Sequence, residues 1–263
     1  MDRSTSVFRV DGKIALVVGA GSGIGQAAAV ALGQSGATVV CADLNPAAAR
    51  ITAERIAADG KACALPIDIR SNQSVNEAIE KIRGEHGRLD ILVSTPSINV
   101  RKRLLTYTDD ELDRVVDLNL KGTFRITKAA AALMGESGGG SIILMSSIRS
   151  LVVEPGQGVY AATKASQVQL ARGFAVELAP LGIRVNALAP GVVDTPLTEP
   201  IRKNAEWYAA YANRNALKRW AKPEEMAWPI VFLASEASSY ITGTVLFADG
   251  GWTAIDGRFE PPL

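Results

Sequence analysis

Gly19-Ala20-Gly21-Ser22-Gly23-Ile24-Gly25 is the stretch that decides the fold of this 263-residue chain. It follows a short apolar run, Ile14–Val18, that reads as a buried strand, and it opens a helical pattern over Gly23–Ser35. Glycines at this spacing let the backbone turn tightly and approach a pyrophosphate without an intervening Cβ. The free N–H groups of the helix start would then face the phosphates. The sequence therefore predicts a dinucleotide-binding turn built from Gly19, Ser22, Gly23, Ile24 and Gly25.

The same alternation of apolar runs and helical windows continues along the chain. Further strands are predicted at Thr38–Ala42, Ala62–Pro66, Ile91–Val93, Ser141–Met145, Arg184–Leu188 and Val245–Phe247. Further helices are predicted at Pro46–Ala58, Asn72–Glu85, Asp109–Met134, Val159–Leu178 and Pro223–Ala234, with Ser71 and Asp109 as N-caps. The strands are continuous apolar runs, as expected when helices cover both faces of a sheet. We therefore expect residues 1–263 to form a single Rossmann-type, doubly wound α/β domain with a seven-stranded parallel sheet.

Composition limits the classes of protein to consider. With 48% hydrophobic and 21% charged residues the chain suits a large core, and a net charge of +1 gives no footprint for nucleic acid. No apolar run approaches the roughly 18 residues that a membrane span needs, and the first residues lack the pattern of a secretory signal. Two cysteines and one histidine predict neither a disulfide framework nor a structural metal. We expect a cytoplasmic protein with a small-molecule substrate and no nucleic-acid or membrane partner.

Asp43 ends the second predicted strand, 18 residues after the glycine-rich turn. A carboxylate at this place accepts hydrogen bonds from the ribose hydroxyls and repels a 2′-phosphate. No Arg or Lys stands at Ser22, Leu44 or Asn45 to bind that phosphate. NAD is therefore predicted as the cofactor in preference to NADP.

A second set of polar residues lies further along the chain. Tyr160 and Lys164 stand four apart in a predicted helix, so their side chains share one face, and Ser147 precedes Tyr160 by 13 residues. A free tyrosine has a pKa near ~10, and a nearby opposite charge lowers such a pKa by about 1–3 units. Tyr160 is therefore the candidate acid–base, with Lys164 lowering its pKa. Ser147 would donate a hydrogen bond to the substrate oxygen.

Taken in order, these motifs resemble the short-chain dehydrogenase/reductase family over almost the whole chain. The glycine turn, Ser147, Tyr160 and Lys164 stand in the family's order and spacing. Asn119 matches the asparagine of its central helix, and the segment Pro190–Thr195 resembles the one that contacts the nicotinamide carboxamide. The resemblance implies a homotetramer that transfers a hydride between a secondary alcohol and C4 of the nicotinamide.

The resemblance also assigns roles to individual residues. Lys164 would hold the nicotinamide ribose, and Asn119 would link it to solvent through a water bound to the helix main chain. The catalytic set is Asn119, Ser147, Tyr160 and Lys164. The cofactor-binding set is Gly19, Ser22, Gly23, Ile24, Gly25, Asp43, Leu44, Asp68, Ile69, Ser94, Tyr160, Lys164, Pro190, Gly191, Val193 and Thr195.

The chain departs from the family after the fourth strand, where Ser94-Thr95-Pro96-Ser97 replaces the usual Asn-Asn-Ala-Gly. Pro96 lacks an N–H donor, and Ser97 resists the backbone angles that glycine accepts. Two outcomes are open: the local geometry is rebuilt with side-chain hydroxyls, or the affinity for the cofactor is reduced.

The substrate is indicated by two arginines. Arg101 follows the fourth strand and Arg149 lies two residues after Ser147, and guanidinium groups bind carboxylates in a bidentate manner. The substrate-binding set is therefore Arg101, Ser147, Arg149 and Tyr160. The sequence around Arg101 resembles that of family members that act on gluconate and related sugar acids. The aromatic segment Glu199–Trp220 stands where the family has a mobile lid.

Three functions remain open at this point. The first is an NAD-dependent dehydrogenase acting on a sugar, sugar acid or polyol. The second is a 3-oxoacyl-thioester (acyl carrier protein) reductase, against which Asp43 argues because those enzymes usually use NADPH. The third is a catalytically silent NAD-binding regulator, supported by the altered Ser94–Ser97 segment alone.

Overall fold

The computed structural model describes residues 6–57 and 61–255, and within these ranges seven parallel strands form one sheet. The strands are β1 Ile14–Val18, β2 Thr38–Asp43, β3 Lys61–Pro66, β4 Ile91–Ser94, β5 Gly140–Met145, β6 Ile183–Pro190 and β7 Val245–Ala248. Their order across the sheet is β3-β2-β1-β4-β5-β6-β7. This architecture confirms the predicted doubly wound α/β fold, with each strand found within three residues of its predicted ends.

Helices cover both faces of the sheet. They are α1 Gly23–Gln34, α2 Pro46–Ala57, α3 Asn72–His86, α4 Asp109–Val116, α5 Thr123–Glu136, α6 Gly158–Leu178, α7 Glu199–Arg202, α8 Ala205–Arg214 and α9 Pro223–Ala234. One core lies between the sheet and α3, α5 and α6, and a second lies between the sheet and α1, α2 and α9. Because both faces are covered, the central strands contain almost no exposed residue, which explains their unbroken apolar sequences.

The long predicted helix Asp109–Met134 is present but not uniform. Residues Asp117–Gly122 form a π-helical turn between α4 and α5. In this wider turn the Asn119 carbonyl accepts hydrogen bonds from the side chains of Thr123 (2.9 Å) and Gln167 (2.9 Å). Turns of this kind are rare and are found most often at functional sites.

One of the two predicted helix caps is wrong. Ser71 caps α3, because its hydroxyl accepts a hydrogen bond from the Ser74 N–H at 3.2 Å. For α4 the cap is Thr108 and not Asp109, which is the first residue of the helix itself. Thr108 and Glu111 form a capping box, in which each side chain accepts a hydrogen bond from the backbone N–H of the other residue. This reciprocal pair makes Thr108 the N-cap.

The lid-like segment Glu199–Trp220 contains two helices, α7 and α8. The sequence shows no periodic spacing of apolar residues there, so neither helix was predicted. Asn204 caps α8 by accepting from the Trp207 N–H at 2.9 Å. Tyr211 of α8 packs with Trp220 and Trp252 in a small apolar cluster that is separate from the two main cores. Tertiary packing of aromatic side chains therefore stabilises this segment.

The order of the strands reverses at β1, whose neighbours are β2 and β4. Connections from this point run to opposite sides, which opens a crevice beyond the carboxyl ends of the two strands. Thr95, the residue after β4, lies at this crevice and donates its N–H to the Val18 carbonyl at 3.1 Å. Among the described residues, no helix has the length and hydropathy needed to cross a bilayer.

Candidate active site

A cleft of about 570 Å³ lies at this carboxyl edge. Most of the residues assigned to the cofactor line it: Gly19, Ser22, Gly23, Ile24, Gly25, Asp43, Leu44, Asp68, Ile69, Tyr160, Lys164, Pro190, Gly191, Val193 and Thr195. Ser94 does not line the cleft, since it is buried at the end of β4. The volume lies in the range of small-molecule and cofactor sites.

The glycine turn is a cradle that only glycine can form. Gly19 and Gly23 have φ values of +83° and +54°, which side chains rarely adopt. A Cβ on Gly25 would stand 2.1 Å from the Gly19 carbonyl oxygen. The Ser22 side chain makes no capping hydrogen bond to a described residue, so the first N–H groups of α1 face the cleft without a side-chain acceptor. These features fit a dinucleotide pyrophosphate.

Asp43 is held against this turn. One carboxylate oxygen accepts from the Gly21 N–H at 2.8 Å, and the other accepts from the Asn45 N–H at 2.9 Å. A carboxylate has about four lone-pair positions, so two acceptor positions stay open toward a ribose. The residue lines the cleft, as the sequence predicts.

A cation that the sequence analysis missed also lines the cleft. Arg70 follows Asp68 by two residues and binds it as a fork, with distances of 3.0 Å from Nε and 2.8 Å from Nη2. The Arg70 guanidinium holds the pKa of the Asp68 carboxyl below its usual range. Because of this ion pair, the positive charge of Arg70 lies against the Asp68 carboxylate.

The altered segment after β4 is rebuilt with a side-chain hydroxyl. Thr95 Oγ1 donates to the Val18 carbonyl at 2.9 Å, so the hydroxyl adds a second contact to the end of β1. The same atom would stand 2.3 Å from a Cβ on Gly19 and packs directly beneath the glycine turn. Of the two outcomes left open, this geometry agrees with the first.

Tyr160 and Lys164 share one face of α6, as their spacing predicts, and both are buried. Lys164 Nζ lies 5.4 Å from the centre of the Tyr160 ring. Burial raises the pKa of the Tyr160 phenol, and the hydroxyls of Ser147 and Ser97 oppose that rise, followed by the charges of Arg101 and Arg149. Arg101 and Arg149 are thus further positive charges near the phenol, and the effect of Lys164 on its pKa stays a prediction.

The Lys164 ammonium is held by uncharged acceptors. It is only 1% exposed and donates to the Met145 carbonyl at 2.7 Å and to Gln167 Oε1 at 3.3 Å. Burial without a carboxylate partner lowers the pKa of Lys164 to about 7. A neutral amine is the state that this environment favours at slightly alkaline pH.

Asn119 is connected to Lys164 through Gln167. The amide of Gln167 donates to the Asn119 carbonyl, and its own carbonyl accepts from Lys164. The Asn119 side chain meanwhile holds the Ile98 backbone through two 2.9 Å hydrogen bonds. Asn119 does not line the cleft, and its part in catalysis stays a prediction. Gln167 was missed, although it stands one helical turn after Lys164.

We predict that the buried Lys164 makes the stability of the cofactor-free protein depend on pH. Above about pH 7 the folded chain has released this proton, whereas the unfolded chain keeps it until about pH 10. The free energy of unfolding of the wild type should therefore rise between pH 7 and 10, relative to Lys164→Met, by on the order of 3 kcal/mol. Urea denaturation of both proteins at several pH values measures this difference, and parallel pH profiles would contradict it.

Arg101 and Arg149 lie outside the wall of the cleft but near enough to Tyr160 to lower its pKa. Both bind Glu154, at 2.9 Å from Arg101 and 2.5 Å from Arg149. Arg149 is 7% exposed, and its guanidinium also lies over the Trp252 ring at 5.4 Å. Glu154 was not recognised from the sequence, because its partners are separated from it by up to 57 positions.

Comparisons with known proteins agree with this geometry. A family model described as "Enoyl-(Acyl carrier protein) reductase" matches residues 19–253. A 3-oxoacyl-(acyl-carrier-protein) reductase of Thermotoga maritima is 38% identical over 245 residues, which are 93% of this chain and 99% of the relative. A cis-4-hydroxycyclohexanecarboxylate dehydrogenase of Sinomonas cyclohexanicum is 38% identical over 248 residues, which are 92% of this chain and 97% of the relative.

A solved structure extends the likeness to the backbone. The crystal structure of a gluconate 5-dehydrogenase from Burkholderia cenocepacia, in complex with NADP and tartrate, has a TM-score of 0.92 and 33% identity. The match covers 96% of this chain and 99% of that chain. Together with the glycine turn and the Tyr160–Lys164 pair in one cleft, these matches show that the chain belongs to the short-chain dehydrogenase/reductase family and is a nicotinamide-dependent oxidoreductase of alcohol or ketone groups.

Proposed function

We propose that this protein is an NAD-dependent dehydrogenase that oxidises a secondary alcohol of a sugar acid. The observation that carries the proposal is the pair of guanidinium groups, Arg101 and Arg149, that share the single carboxylate Glu154 beside Tyr160. Two cations and one anion leave one positive charge in a partly buried place. A substrate carboxylate is the group that matches it.

The acid–base chemistry belongs to residues of this chain. A bound nicotinamide cofactor supplies the hydride acceptor for oxidation. Tyr160 takes the proton from the substrate hydroxyl, and Ser147 donates a hydrogen bond to the same oxygen, where negative charge develops. Burial raises the pKa of Tyr160, and the charges of Arg101 and Arg149 oppose that rise. The same two arginines thus serve substrate binding and proton transfer.

The choice of NAD rests on Asp43. Its carboxylate is fixed by the N–H groups of Gly21 and Asn45 at the edge of the cleft where the ribose of the adenosine would lie. A 2′-phosphate placed there would meet a carboxylate. The nearby cation Arg70 is already paired with Asp68, which limits its use for that phosphate.

A second candidate is the reduction of a 3-oxoacyl thioester, which the 38% identity to the Thermotoga maritima reductase supports. Such a substrate has no carboxylate beside its ketone, so it leaves the charge at Arg101 and Arg149 unmatched. The regulator considered above lacks support, because the family is one of oxidoreductases. The cytoplasmic location and the homotetramer stay predictions from the sequence.

The proposal is tested with two substrates of equal length. D-Gluconate and sorbitol both have six carbons, but only gluconate has a carboxylate. With NAD⁺ as oxidant we expect kcat/KM for gluconate to exceed that for sorbitol at least tenfold. Arg149→Met should lower the value for gluconate at least thirtyfold and that for sorbitol less than fivefold, because the aliphatic stem is kept and the charge is lost.

Lys102→Met is the matched control. Lys102 follows Arg101 but pairs with Glu111 at 3.0 Å, so its loss should not alter the ratio of the two substrates. Equal use of sorbitol and gluconate would overturn the sugar-acid assignment. Faster turnover of acetoacetyl-coenzyme A with a reduced cofactor would favour the thioester reductase, and preference for NADP⁺ would overturn the role of Asp43.

A further inference from the structure

Glu154 is the centre of a polar cluster between the segment 147–157, which connects β5 to α6, and helix α8 of the lid-like segment. Its Oε1 accepts from Arg101 Nη1 at 2.9 Å, from the Tyr211 hydroxyl and from Gln157 Nε2. Its Oε2 accepts from Arg149 Nη2 at 2.5 Å. One carboxylate therefore joins four side chains from three segments of the chain.

Charge in this cluster is poorly screened by solvent. Arg149 is buried, and its guanidinium lies over the rings of Tyr211 and Trp252. Glu154 is about three-quarters buried, with a side-chain exposure of 25%. The interaction between charges strengthens as the local dielectric constant falls. A change of one elementary charge in this cluster therefore acts strongly on any ion bound nearby.

The polar contacts continue from Glu154 toward the active-site segment after β4. Gln157 is buried and its Oε1 accepts from Asn99 Nδ2 at 3.0 Å. The other amide atom, Asn99 Oδ1, is buried and has no hydrogen-bond partner among the described residues. A buried acceptor without a partner is costly, and a ligand hydroxyl is the group that would satisfy it.

We propose that Glu154 determines the charge of the substrate, by neutralising one of the two guanidinium groups so that the site selects hydroxy acids with one carboxylate over those with two. This inference rests on the proposed function, since it takes the cluster as the subsite of the substrate carboxylate. Glu154 acts through Arg101 and Arg149, so it is a positioning and specificity-determining residue. A dianion in the present cluster would bring one uncompensated negative charge to a partly buried place.

Glu154→Gln separates charge from shape. The glutamine carbonyl can keep the three contacts that Oε1 now accepts, from Arg101, Gln157 and Tyr211. The amide nitrogen then faces Arg149, so that one contact is lost and the cluster gains one positive charge. We expect the ratio of kcat/KM for the dianion D-glucarate to that for the monoanion D-gluconate to rise at least tenfold in this variant.

Tyr211→Phe is the matched control. It removes another contact to the same carboxylate without altering any charge, so KM should change for both acids together and their ratio should stay within about twofold of the wild type. A purely structural role of Glu154 would give the same result in both variants. An unchanged ratio in Glu154→Gln would therefore overturn the inference.

A binding measurement keeps this test independent of turnover. The thermal shift of the NAD⁺-bound protein is recorded with tartrate, a dianion, and with glycerate, a monoanion. Wild type should be stabilised more by glycerate and Glu154→Gln more by tartrate, and identical responses would count against the inference. If the wild type oxidises neither D-gluconate nor D-glucarate, the proposed function fails. The thermal shifts with tartrate and glycerate still decide whether Glu154 sets the charge preference.

Discussion

Replacing Tyr160 by phenylalanine should lower kcat at least a thousandfold while the dissociation constant of NAD⁺ stays within about threefold. The substitution removes one oxygen and keeps the ring that packs in the cleft wall. General acid–base catalysis contributes about 10²–10⁴-fold. The nearby hydroxyls of Ser147 and Ser97 do not replace Tyr160, because an aliphatic alcohol is a far weaker acid than a phenol. The measurement is steady-state turnover with the best acid substrate, alongside NAD⁺ binding by fluorescence titration.

Tyr240→Phe controls for the loss of a phenol elsewhere, since Tyr240 is fully exposed on the surface. It should leave both turnover and NAD⁺ binding unchanged. Turnover of Tyr160→Phe near the wild-type value would remove Tyr160 from the mechanism. Lost NAD⁺ binding in that variant would instead show that the phenol mainly serves to hold the cofactor.

The second large effect is expected for Gly25→Ala. The added Cβ would stand 2.1 Å from the Gly19 carbonyl oxygen and 2.7 Å from Thr95 Oγ1, and the first of these atoms belongs to the backbone. The turn must therefore open, which moves the N–H groups at the start of α1 away from their common target. We expect NAD⁺ to bind at least thirtyfold more weakly and Tm to fall by several degrees, as overpacking costs about 1–3 kcal/mol.

Gly84→Ala is the corresponding control. Gly84 lies inside α3, and apart from its chain neighbours and the backbone of its own helix no described heavy atom stands within 4 Å of its added Cβ. Alanine is favoured over glycine in helices by about 1 kcal/mol, so this variant should match or exceed the wild type in Tm and bind NAD⁺ normally. If Gly25→Ala behaved like Gly84→Ala in calorimetry and NAD⁺ titration, the glycine turn would not be the tight cradle described above.

Local patterns in the sequence were sufficient for the sheet and for most of the cleft. Strands such as β1 are short apolar runs next to glycine or proline, and helices on both faces leave them no polar position. The glycine turn follows β1 directly and Asp43 is the last residue of β2, so topology alone brings them together. The helix ends were harder, since Thr108 and Asp109 are both good caps and only the reciprocal contact of Glu111 decides between them.

The electrostatics of the site could not be read from spacing. A lysine one turn after a tyrosine suggests a direct effect on the pKa, but the Lys164 ammonium turns to the Met145 carbonyl and is itself desolvated. Two charges that oppose the rise in the pKa of Tyr160 come from Arg101 and Arg149, on two separate segments of the chain. Such effects depend on burial and on contacts between distant segments, which periodicity does not encode.

The π-helical turn at Asp117–Gly122 has a consequence for insertions and deletions. It holds more residues per turn than the α-helices on either side, so it accommodates one extra residue while α4 and α5 keep nearly the phase of one continuous helix. Deleting one residue there would restore ordinary α-helical winding and leave α4 and α5 in place. The wide turn in which the Asn119 carbonyl accepts from Gln167 would be lost, and with it the link from Asn119 to Lys164. A shortened helix would be more regular and would remove one support of Lys164.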